Sequence, residues 1–152
     1  MLSRVRSFLT TEAASRLYKT MILSVFDYCD VTWHNSGKGN SDILESLQRR
    51  ACRIVCRDTV CGELSSDLLL QRLGWELLHV RREKHVLKLV QKCINGNVPE
   101  YFKNYFTKRH MNVHDHLTRY RSLLYQERIK LEHTKLAFFY KGTTIFNRDC
   151  SS

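Results

Sequence analysis

The sequence predicts an all-α fold, a small multi-helix bundle with a less regular C-terminal segment. Apolar residues recur at three- and four-residue spacing over most of residues 11–106, the repeat of helices with one buried face. Over that range glycines and the single proline punctuate these stretches. With 152 residues and 43% hydrophobic content, the chain is long and apolar enough to bury a core. The expected organisation is a helical domain over 1–106, with an irregular basic and aromatic segment over 107–152 packed on it or trailing it.

The elements follow in order. Thr10 or Thr11 caps a first helix whose apolar stripe is Ala14, Leu17, Tyr18, Met21, Ile22, Val25 and Phe26. The polar run Asn35 to Asn40 ends it, and Asn40 or Ser41 opens a second helix. There Ile43, Leu44, Leu47, Ala51, Ile54 and Val55 fall on one arc at about 100° per residue. Arg49, Arg53 and Arg57 follow one another at i+4 on the opposite side, with Arg50 at the edge. Ser65 or Ser66 caps a third helix that stops at Gly74. A longer helix runs from about Glu76 to Asn95 and ends at Gly96, burying Val80, Val86, Leu87, Val90 and Ile94. Its other side carries Arg81, Lys84, Lys88 and Lys92. Pro99 suits the first turn of a brief helix through Phe106. Residues 107–118 read as a loop, and for 119–147 helix and strand both stay open.

Lys and Arg outnumber Asp and Glu by 25 to 15, a formal charge of +10. That surplus points to an anionic partner held in a salt-dependent way, nucleic acid before acidic protein or membrane surface. No segment approaches the roughly 18 apolar residues of a membrane span, and no signal peptide is legible. An intracellular chain is expected, nucleus or cytoplasm left open, with its six cysteines reduced.

The two basic stripes are the candidate sites: Arg49, Arg50, Arg53 and Arg57 on one helix, Arg81, Lys84, Lys88 and Lys92 on the other. Either they are solvated helix faces or they contact phosphate, Arg as a bidentate clamp and Lys as a point charge. Neither holds a base-reading signature, so sequence specificity is not predicted. Trp33, Trp75, Tyr101, Phe102, Tyr105 and Phe106 either fill a core or stack on bases.

Chemistry is harder to find. Cys52-x3-Cys56-x4-Cys61, with His34 or His79 as a fourth ligand, lacks zinc-finger spacing. His110, His114 and His116 read as an ordinary polar loop. No metal site and no cofactor is expected, and no nucleophile elbow, zincin, phosphate-loop or dinucleotide motif occurs.

A series of motifs is familiar as a set. Leu17-Tyr18-Lys19 precedes Tyr28 and Trp33. Leu47-Gln48-Arg49-Arg50-Ala51 runs on to Arg53-Ile54. Leu70, Leu73-Gly74, Arg81-Arg82, Asn95-Gly96 and Pro99 follow, then Thr118-Arg119, Tyr140, Gly142 and Asn147. In order and spacing this resembles the region after the catalytic palm in non-LTR retrotransposon reverse transcriptases of the jockey type, over residues 11–148. Phe146 stands where that family has Trp, and Asp149-Cys150 where it has Leu-Pro.

The resemblance implies a helical, thumb-like region that contacts a template duplex. Tyr28-Cys29-Asp30-Val31 lacks the second Asp of a Y-x-D-D signature, and Asp27 lies on the wrong side of the tyrosine. Without paired carboxylates for two metal ions, the isolated chain is not expected to be an enzyme. The expected function is sequence-independent binding of RNA or an RNA–DNA duplex, with a missing reverse transcriptase palm as a further partner. The alternative is a protein–protein interaction module, or a translated transposon remnant with no selected function.

Overall fold

The computed structural model describes residues 2–33, 37–57, 65–102, 104–109 and 123–150. Among them the protein is all-α, and β pairing is confined to one antiparallel bridge between Lys108 and Leu124. The chain divides into two compact units, Met1–Arg82 and Glu83–Ser152.

In the first unit α1 (Leu2–Val5) leads into α2 (Thr11–Leu17), where the Thr10 hydroxyl accepts from the Ala13 amide at 3.2 Å. A π-helical stretch, Tyr18–Leu23, joins α2 to α3 (Ser24–Asp27). A π turn takes up an extra residue and shifts the register of everything after it. The expected stripe therefore holds in part: Ala14 and Tyr18 are buried and Leu17 and Ile22 pack against the core, but Met21 and Val25 are 51% and 66% exposed. Tyr18 stacks on Trp75 at 4.0 Å and 13°, and the Trp75 indole donates to the Ser15 hydroxyl. After the left-handed Cys29 (φ 50°), the short α4 (Asp30–Trp33) follows.

The next helix, α5 (Lys38–Cys56), begins before the expected caps Asn40 and Ser41, with Gly37 at φ 95° ahead of it. Its buried face is also turned from the predicted arc. Glu45, Gln48, Ala51, Cys52 and Val55 are buried, while Ile43 is 58% and Leu47 45% exposed. The reason lies in two polar residues with distant partners. The Glu45 carboxylate accepts from the amides of Leu78 (3.3 Å) and His79 (2.7 Å), capping the next long helix and meeting its positive end. The Gln48 amide donates to the Glu76 carbonyl at 2.9 Å.

Ser65 caps α6 (Ser66–Leu73), which ends on Gly74 at φ 60°. The amides of Gly74 and Trp75 return to the carbonyls of Gln71 and Leu70, a Schellman closure that needs a left-handed residue. Helix α7 (Leu78–Ile94) ends in the same way: the amides of Gly96 and Asn97 bond the carbonyls of Cys93 and Lys92. Of its expected buried set, Val86 and Val90 are buried, whereas Val80, Leu87 and Ile94 are half-buried. Leu78, Cys93 and, against expectation, Arg82 are buried too.

In the second unit the turn after Pro99 is only a 3-10 turn, Glu100–Phe102, rather than a helix through Phe106. The described part of 107–118 is not all loop, since the amides of Arg109 and Tyr125 bond the carbonyls of Leu123 and Thr107. Within 119–147 the long element is helical: α8 (Phe138–Asp149) follows a 3-10 turn, Glu132–Leu136. Val86, Val90, Cys93, Phe106, Leu124 and Ile145 are buried in this unit. Asn147 pairs with both backbone groups of Leu124, accepting at 2.8 Å and donating at 3.1 Å.

Candidate nucleic-acid interface

An arginine can contact phosphate only with the N–H groups that the fold leaves over. Arg49, Arg50, Arg53 and Arg57 are all exposed on α5 or at its C-terminal end. Arg49 stands 3.8 Å from the Asp67 carboxylate in a solvent-exposed pair, and Arg53 donates one N–H to the Ser66 hydroxyl at 2.9 Å. Arg57, at φ 55°, turns back and donates through one nitrogen to the carbonyls of Arg6, Ser7 and Leu9. Arg50 makes no such contact among the described residues, which leaves its planar fork available.

Arg50, Arg53 and Arg57 border an open recess of about 660 Å³, whose lining also holds Ser3, Arg6, Ser7 and Ile54. Arg6 is its floor, only 6% exposed. Its guanidinium donates to the carbonyls of Ile54, Val55 and Leu9 and to the Thr11 hydroxyl. A cation is thereby fixed against the carbonyl end of α5, where the helix dipole is negative. Burial, and then the neighbouring Arg57, lower the Arg6 pKa from its ordinary value. With its donors spent, Arg6 supplies charge, while Arg50 and Arg53 supply N–H groups at the rim. Sequence reasoning missed Arg6, Ser3 and Ser7. Their only signal was a basic N-terminal stretch with no periodicity of its own.

The second stripe divides. Arg81 grips Asp27 bidentately, both N···O distances 2.7 Å, and that bond raises its pKa further. Two of its nitrogens are thus engaged within the fold rather than left over for the expected phosphate-contacting row. Asp27 is equally occupied. The neighbouring Arg82, 4% exposed, lies over the Trp33 ring at 5.5 Å and donates to the Ser41 hydroxyl at 2.7 Å. There an aromatic face stands where a carboxylate would otherwise be. Lys84, Lys88 and Lys92 are exposed along α7.

Among the cysteines, Cys52 is fully buried and burial raises its thiol pKa to about 12, so it is held protonated. Cys61 and His34 lie outside the described residues, as do His110, His114, His116, Thr118 and Arg119. The Nδ1 of His79, the other histidine considered with the cysteines, sits 3.2 Å from Glu45. Of the stacking candidates, Trp33 lies beneath Arg82, and Trp75 and Phe106 are buried. Tyr101 and Tyr105 are 68% and 55% exposed, and Phe102 is half-buried between them. No helix among the described residues is long and apolar enough to cross a membrane.

Comparison of the chain with models of known families, with curated proteins and with solved structures finds no match.

Proposed function

We propose that this chain is a non-catalytic, helical nucleic-acid-binding domain of the kind that follows the palm in non-LTR retrotransposon reverse transcriptases. Its activity is sequence-independent binding of RNA or an RNA–DNA duplex. The observation that carries the reading is the arginine-lined recess at the end of α5. One cation is buried there as a permanent charge, and Arg50 and Arg53 stand at the rim with donors to spare. Phosphate suits such a set, because guanidinium matches its geometry and no base-reading pattern is needed. The residues that carry the family resemblance also have structural work: Tyr18 stacks, Gly74 and Gly96 close helices, and Asn147 holds a backbone pair.

The test is binding of an RNA–DNA duplex at low salt by the full chain carrying Arg49→Glu, Arg50→Glu and Arg53→Glu. Affinity is expected to fall by at least about tenfold, since each lost phosphate contact also removes its counterion-release contribution. Undiminished binding would overturn the reading.

A second reading, an interaction module that docks on a palm or another protein, is favoured by apolar residues left uncovered: Met21, Val25, Ile43 and Leu47. Concentration-dependent self-association abolished by Leu47→Gln, without any affinity for nucleic acid, would support it instead.

A further inference from the structure

We infer that the second unit carries a slot for one unpaired nucleobase, built from Tyr105, Tyr125, Phe139 and Tyr140. The inference rests on the reading of the chain as a nucleic-acid-binding domain and adds a second, chemically different contact to it. These rings line a recess of about 360 Å³, within the range of small-ligand sites.

Tyr105 and Phe139 lie within 26° of parallel with centroids 6.2 Å apart. The closed stack of Tyr18 on Trp75 has its centroids at 4.0 Å. The wider pair therefore leaves ring surface that its partner does not cover. Tyr105 is 55% exposed, so its ring face is open to a stacking partner.

The rest of the lining tells base from phosphate. Asn104, Gln126 and Glu127 border the recess, and among the described residues no Lys or Arg lines it. A carboxylate at the rim repels phosphate but accepts from the exocyclic amines of bases, and the two amides offer both donors and acceptors. The Gln126 nitrogen is anchored on the Thr144 hydroxyl at 2.8 Å, which fixes the amide and leaves its carbonyl oxygen to accept. Cations occupy the next positions along the chain: Lys108 and Arg109 after Thr107, and Arg128 after Glu127, all three exposed. They suit the backbone of a strand whose base enters the slot. Such a site takes bases of single strands or strand ends, because paired bases keep their faces stacked.

The experiment compares two fluorescent DNA strands of about 12 nucleotides, one all adenine and one abasic, with equal numbers of phosphates, titrated with the full chain. The adenine strand is expected to bind about tenfold more tightly. Tyr105→Ala should remove that difference without changing affinity for the abasic strand, and Tyr105→Phe should retain it, since stacking needs the ring and not the hydroxyl. Equal affinity of the wild-type chain for both strands, or a difference that survives Tyr105→Ala and Phe139→Ala, overturns the slot while leaving phosphate binding intact. Binding to neither strand overturns the slot, and failure to bind the RNA–DNA duplex as well overturns the proposed function with it.

Discussion

Single residues here are set by what burial does to them. Tyr18 is 1% exposed and Cys52 fully buried, and burial raises both pKa values to about 12, from 10.0 and 9.0. Each group is neutral when protonated, and the folded state holds its proton more tightly than the unfolded state does. Their contribution is thus fully present below about pH 9 and is lost as the pH climbs towards 12. Denaturant unfolding between pH 8 and 12 is expected to show a falling stability over that window. Cys52→Ala should be less stable at neutral pH, through its cavity, yet show a shallower alkaline decline. An unchanged slope in that variant would mean that Cys52 titrates alike in both states. The burial of Cys52 was not legible in the sequence. Its i+4 relation to Cys56 places the two on one helix face away from the centre of the expected apolar arc, and which face is buried depends on partners far along the chain.

At the level of the element, what the sequence revealed was closure, and what it concealed was register. Thr10, Ser65, Gly74 and Gly96 all act where their local chemistry predicts, because caps and left-handed stops are decided within a few residues. The faces of α5 are decided otherwise. Counting apolar residues puts Ile43 and Leu47 inside, yet Glu45 and Gln48 take that place because one caps α7 and the other holds the carbonyl of Glu76. Glycine in the middle of α8 is a similar case, a weak helix former kept for a long-range reason. A Cβ on Gly142 would stand 2.9 Å from a methyl of Val90, which is fully buried and β-branched and has little room to turn aside. Gly142→Ala should gain up to about 1 kcal/mol of helix propensity and lose more to the clash, a net loss of about 1–2 kcal/mol. Thermal unfolding checks this, and Val90→Ala in the same chain should recover part of the loss. Additive losses in that double-mutant cycle would place the strain elsewhere.

Across the whole molecule the positive charge is unevenly shared. Residues 83–152 hold 13 Lys and Arg against 6 Asp and Glu, whereas residues 1–82 hold 12 against 9. Among the described residues of the first unit, Arg6, Arg57, Arg81 and Arg82 all donate to the fold. Position in a charged stripe is therefore a poor guide to function, and Arg81 and Lys88 make the contrast testable on one helix. Arg81 is bonded twice to Asp27 and half-buried, so Arg81→Gln should lower stability by about 1 kcal/mol. Nucleic-acid affinity should stay close to wild type in that variant. Lys88 and Lys92 lie exposed on the solvent side of α7, and replacing both by Gln should leave the melting temperature nearly unchanged. Affinity should nonetheless fall, and the slope of log K against log salt should flatten by about 2, close to one unit for each phosphate contact removed. Should Arg81→Gln flatten the slope as much as the lysine pair does, the Asp27 bond would be opening to release Arg81 towards phosphate. The charged row would then act as one surface rather than as a structural clamp beside a binding face.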